Sequence, residues 1–132
     1  MINWRTLGIG LILAVILSEL LGILGLSISA AAGLNWGTIG QIIGYLLATI
    51  YVGYSISGNY INGAIYGTII GFIGGIVSII IAGTIFGTFE VNSASIMVLV
   101  LEAVLYGIVG AVGGILGFII SVYFSTKEEH AV

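Results

Sequence analysis

The chain has no cysteine, no proline and very little charge. The absence of cysteine excludes a disulfide framework, thiolate metal sites and cysteine nucleophiles. The absence of proline removes the commonest cause of a sharp helix kink. Arg5 and Lys127 are the only basic side chains apart from His130, so there is no basic face on which nucleic acid could bind. His130 is the single histidine and sits in a polar C-terminal tail, where a histidine-based metal site would need ligands from another chain. No catalytic or cofactor motif stands out. The expectation is therefore a non-enzymatic protein with no catalytic residue, no metal and no cofactor.

What remains is overwhelmingly apolar. Of 132 residues, 60% are hydrophobic and 5% charged, with a mean hydropathy of +1.33. Soluble domains carry about a quarter charged residues, so the solvent for this surface is a lipid bilayer. Four apolar stretches reach the ~20 residues needed to cross it, at about 7–32, 38–56, 61–86 and 95–124. A transmembrane β-barrel would need short segments of alternating polarity, whereas runs such as Ile96-Met97-Val98-Leu99-Val100-Leu101 are continuously apolar. The expected fold is a single all-α integral membrane domain over residues 1–132, with four transmembrane helices in a glycine-rich antiparallel bundle.

Short polar segments join the spans: Asn35-Trp36-Gly37, Ser57-Gly58-Asn59-Tyr60 and Glu90-Val91-Asn92-Ser93. Four crossings put both termini on one side. Arg5 precedes the first span and Lys127 follows the last, while the loops between spans carry no Lys or Arg. The positive-inside rule then places both termini in the cytoplasm of a multi-pass cell-membrane protein. Trp4, Trp36 and Tyr123 lie near span ends, as interfacial rings do.

Glycine numbers 22, and its spacing is ordered. In the last span Ala103, Gly107, Gly110, Gly114, Gly117 and Ser121 follow at alternating steps of four and three, which keeps them on one helix face. The third span has Gly63, Gly67, Gly71 and Gly75 at steps of four, a glycine zipper, with Gly74, Ser78 and Ala82 beside it. The first has Gly10, Ala14, Ser18, Gly22, Gly25 and Ser29, and the second Gly37, Gly40, Gly44 and Ala48. In lipid such faces let helix backbones approach closely. Spans three and four also echo each other: Tyr66-Gly67 before Gly71-Phe72-Ile73-Gly74-Gly75 resembles Tyr106-Gly107 before Gly110-Ala111-Val112-Gly113-Gly114. An inverted repeat and shared composition both account for that echo.

Two acids fall inside spans. Glu19 lies near the middle of the first and Glu102 about a quarter of the way into the last, with no Lys or Arg at membrane depth to pair with. Tyr106 stands four residues after Glu102, so its phenol is placed to bond that acid. Gln41, with Thr49, offers Glu19 polar partners from the second span. Glu19, Gln41, Glu102 and Tyr106 are thus the candidate intramembrane polar or ion site. They read either as hydrogen-bonding glue between helices or as a site for protons or cations.

The opening Ile2-Asn3-Trp4-Arg5 and the run Asn62-Gly63-Ala64-Ile65-Tyr66-Gly67, continuing to Gly75, resemble an uncharacterised family of small four-span archaeal membrane proteins, labelled only as a domain of unknown function. The resemblance covers most of the chain and implies the same topology and no activity. The segment Leu101-Glu102-Ala103-Val104-Leu105-Tyr106-Gly107 is similar to the ion-carrying helix of rotary-ATPase proteolipids. It departs from that pattern by one residue of spacing and by lacking alternate glycines on a partner helix. The functional expectation is a structural or assembly component acting through glycine-mediated helix packing, as a homo-oligomer or with a membrane-complex partner in the bilayer. The alternative is a small oligomeric channel or cation- or proton-coupled transporter using Glu19 and Glu102.

Overall fold

The computed structural model describes residues 2–33, 35–56, 58–85, 87 and 91–131. It has four helices: α1 (Trp4–Ala32), α2 (Trp36–Ser55), α3 (Tyr60–Ile85) and α4 (Ser93–Ala131). Each is long and apolar enough to cross a membrane, and no strand occurs among the described residues. The four-span, all-helical, multi-pass reading therefore holds. The last helix is the exception in length. It continues as helix through Lys127-Glu128-Glu129-His130, which the sequence reading treats as a tail. Hydropathy marks where the bilayer ends, but Lys and Glu are good helix formers and extend the coil beyond it.

Local chemistry sets where the helices start. Each one begins immediately after an asparagine, and the side-chain oxygen of that asparagine accepts a bond from a backbone N–H three residues on. Asn3 accepts from Thr6, Asn35 from Thr38, Asn59 from Asn62 and Asn92 from Ser95. This satisfies one of the orphan donors that every helix N-terminus leaves. At its other end α1 stops at Gly33, whose φ of 69° is left-handed, and the Gly33 N–H returns to the Ser29 carbonyl. A side chain there would be strained in that conformation.

Consecutive helices are antiparallel. Gly25 of α1 lies against the Trp36 carbonyl of α2, Gly40 against the Leu21 carbonyl and Gly10 against Val52, so the numbers run in opposite senses. Along α3 and α4 the pairs are Gly63 with Gly114, Gly67 with Gly110, and Gly71 with Tyr106. Around the bundle, however, the order is α1, α2, α4, α3. α2 packs extensively on α4, and among the described residues α1 and α4 do not meet. α2 and α4 are consequently parallel neighbours: Gly53 lies on the Gly114 carbonyl and Gly117 on that of Ile50. Of the α4 stripe, Gly110 and Gly114 meet α3, whereas Gly117, together with Gly113 between them, meets α2.

Burial is inverted relative to a soluble protein. Glycine, alanine and serine fill most inward positions, including Gly10, Ala14, Ser18 and Gly22 on α1. Large residues such as Ile12, Ile16, Leu20, Leu101 and Leu105 point outward. That distribution is favourable only where lipid covers the outer face. Leu7, Val52, Tyr66 and Ile70 form an apolar core toward the end that carries Trp4 and the 56–60 connection. Toward the other end the core turns polar.

Candidate functional site: a polar core and the cavity above it

The polar half of the core is built around Tyr45 on α2, which is fully buried. Gly74 makes room for it: a β-carbon there would stand 2.9 Å from the Tyr45 ring. The Tyr45 hydroxyl donates to Ser78 Oγ on α3 at 2.8 Å, and Ser78 Oγ lies 3.3 Å from Ser18 Oγ on α1. Ser18 also donates to the Val15 carbonyl at 3.0 Å. Three helices are thereby joined by buried hydroxyls, each with a partner, as a low-dielectric interior demands.

Tyr106 on α4 packs its ring against Tyr45, with centroids 4.5 Å apart and planes tilted by 36°. Gly75 leaves space for it, since a β-carbon there would come within 2.9 Å of the Tyr106 ring. The Tyr106 hydroxyl donates to Gln41 Oε1 at 3.1 Å. Gln41 in turn lies over Gly22, where a β-carbon would stand 2.8 Å from Gln41 Cγ. Glycines on α1 and α3 thus create the volume that Gln41, Tyr45 and Tyr106 occupy.

Of the four residues singled out from sequence, the structure brings Gln41 and Tyr106 into direct contact. The phenol donates to Gln41 across the α2–α4 interface, not to Glu102 on its own helix. Glu102 lies on the wall of a cavity and is exposed there. Glu19 is half-buried, and its Oε1 atom is enclosed without a hydrogen-bond partner. Thr49 does not serve Glu19: its hydroxyl donates to the Tyr45 carbonyl of its own helix at 2.8 Å.

The cavity measures about 510 Å³ and opens among α2, α3 and α4. Thr38, Gln41, Ser78, Asn92, Ser95, Glu102 and Tyr106 give it polar walls, and Ile79, Val98 and Leu99 an apolar side. It runs ~17 Å along α4 from Ser95 toward Tyr106, at 1.5 Å per residue, and so reaches about mid-bilayer from the end that carries the 33–36 connection. Below it stand the Tyr45 hydroxyl cluster and then the apolar core. Tyr45 and the cavity were not singled out from sequence, and Ser78 was read only as a small residue beside the glycine zipper. Hydroxyls scattered on apolar spans carry no pattern until three helices bring them together.

Among the described residues no group of three or more His, Cys, Asp or Glu side chains could hold a metal ion. No curated protein and no solved structure matches the chain. Over residues 4–120, from the first turn of α1 into the last third of α4, the chain matches a family of unknown function, DUF5518, and it belongs to that family.

Proposed function

We propose that this is a non-enzymatic membrane protein that serves as a structural or assembly component, its helices held by glycine-mediated packing and its partner a second copy or another membrane subunit. The observation that carries the reading is a shallow apolar groove on the outer side of the α3–α4 seam. Two clefts of about 330 and 380 Å³ lie along it and share Thr68 and Ile115. Small residues on both helices, Ala64 and Thr68 on α3 and Gly107 and Ala111 on α4, shape it. Gly107 is buried against Phe72 and Thr68 of α3, but a β-carbon there would meet them no nearer than 3.6 Å, so the site has room that most other bundle glycines lack. The Thr68 hydroxyl donates to the Ala64 carbonyl at 2.8 Å and so is not left unpaired at the centre of the groove. Helices associate in membranes at such faces because close backbone approach gains dispersion contacts. Native mass spectrometry from lipid particles is expected to give an oligomer or a defined complex. A lone chain throughout would contradict the proposal.

The second reading, an ion or proton pathway through Glu19 and Glu102, is favoured by the enclosed, unpartnered Glu19 Oε1 atom. An acid at that depth is protonated, paired or hydrated. Within one chain such a pathway would have to pass the apolar core of Leu7, Val52 and Ile70, so this reading requires an oligomer. Proteoliposome flux under proton, sodium and potassium gradients tests it, and absence of all three sinks it.

A further inference from the structure

We propose that the cavity among α2, α3 and α4 binds an organic ammonium group, with the Glu102 carboxylate as its counter-ion and the apolar wall holding the attached hydrocarbon. This goes beyond the packing role, because binding needs the cavity and not the outer groove. Three observations converge on it. The first is charge. Glu102 is the formally charged side chain on the described walls, and the chain's two Lys and Arg residues, Arg5 and Lys127, belong to the opposite end of the bundle. A carboxylate at membrane depth calls for a cationic partner, and the protein supplies none there. The Tyr106 phenol, the nearest donor by sequence, is committed to Gln41.

The second observation is size. At about 510 Å³ the cavity falls within the range of small-molecule sites and far exceeds a bare metal ion. The absence of a three-ligand cluster among the described residues points the same way. The third is the distribution of polarity. An ammonium has donors and no acceptors, and the Glu102 carboxylate, Gln41 Oε1 and the Thr38 hydroxyl are all acceptors on the wall. Val98 and Leu99, one turn before Glu102 on α4, add an apolar surface suited to an alkyl or aryl body. The shared chemistry fits a soluble hydrophobic amine and an amine-bearing lipid headgroup equally.

The test is calorimetric titration of phenethylammonium into the full chain in uncharged maltoside detergent, with phenethyl alcohol as the neutral analogue. Saturable binding of the amine and none of the alcohol is expected. Glu102→Gln is expected to weaken binding about tenfold or more, the loss of a charge-assisted bond. Val98→Trp, which fills the cavity from its exposed wall, is expected to abolish it. Tyr66→Phe, at the other end of the bundle, is expected to leave it unchanged and so controls for folding. Competition by phosphatidylethanolamine assigns the natural source to a lipid headgroup, and failure to compete assigns it to a soluble amine. Equal affinity of the wild type and Glu102→Gln, or no saturable binding by the wild type, would overturn the proposal.

Discussion

Gly67 and Gly110 face each other across the α3–α4 seam, and a β-carbon placed on either would fall on the carbonyl oxygen of the other. The same reciprocity joins Gly63 and Gly114. The obstacle at each site is backbone, which cannot swing aside as a flexible side chain does. Dispersion between bare backbones, with Cα–H···O contacts, replaces the interdigitated side chains of a soluble core.

Substitution should therefore be tolerated or not according to what each glycine faces. Gly110→Leu and Gly114→Leu are expected to lower stability by at least the ~1–3 kcal/mol typical of overpacking. Gly8→Leu, where nothing lies within 4 Å of the added β-carbon, should be neutral, and Leu99→Ala should matter less than either seam variant. Thermal unfolding in detergent, followed by circular dichroism, measures all four.

The buried hydroxyl cluster is expected to contribute less than its burial suggests. Tyr45→Phe removes the donor to Ser78 but leaves the Ser18–Ser78 contact in place. Polar contacts within membranes average only ~0.6 kcal/mol in double-mutant cycles. A Tyr45→Phe, Ser78→Ala cycle should give a coupling of that order, read from the same unfolding curves. A coupling of several kcal/mol would mark the cluster as the principal clamp between α2 and α3.

Glu19→Gln keeps size and hydrogen-bonding capacity but cannot titrate. Because Oε1 has no partner to lose, the variant should fold, assemble and melt like the wild type. Loss of a proton- or cation-driven flux with folding intact would instead favour the ion-pathway reading of this residue.

Much of the fold was legible in the sequence, because a 20-residue apolar run has one interpretation in lipid. α3 begins one residue before its expected start, its expected last residue, 86, lies outside the described residues, and α2 is displaced by one or two. α4 continues as helix beyond the expected span, since helicity outlasts hydropathy there. The site was harder to read. The i, i+4 spacing of Glu102 and Tyr106 pointed to a bond within one helix, but the phenol reaches Gln41 instead, 65 residues away in sequence. That contact depends on α2 lying beside α4, an adjacency that no local spacing encodes. Glycine stripes likewise showed which faces were small without showing which helix each would meet: Gly114 lies against α3 and Gly117 against α2.

Membrane orientation has its own test. Four crossings leave the Asn92 connection opposite both termini, and the positions of Arg5 and Lys127 favour a cytoplasmic location for the termini. Because the chain has no cysteine, single cysteines at Asn92 and after Val132 can be labelled in intact cells. The Asn92 site should react with an impermeant reagent and the C-terminal site should not. The reverse pattern would invert the orientation and leave the four spans intact.

The cysteine-free background also allows the most direct test of assembly through the α3–α4 groove. Thr68→Cys and Ala111→Cys place thiols in the groove, and Ile12→Cys places one on the exposed face of α1. Oxidative crosslinking in native membranes is expected to give a covalent dimer from a groove position, or a discrete larger adduct if the partner is another subunit, and neither from Ile12→Cys. Monomer at all three positions, or crosslinking that is equal at Ile12, would contradict the account.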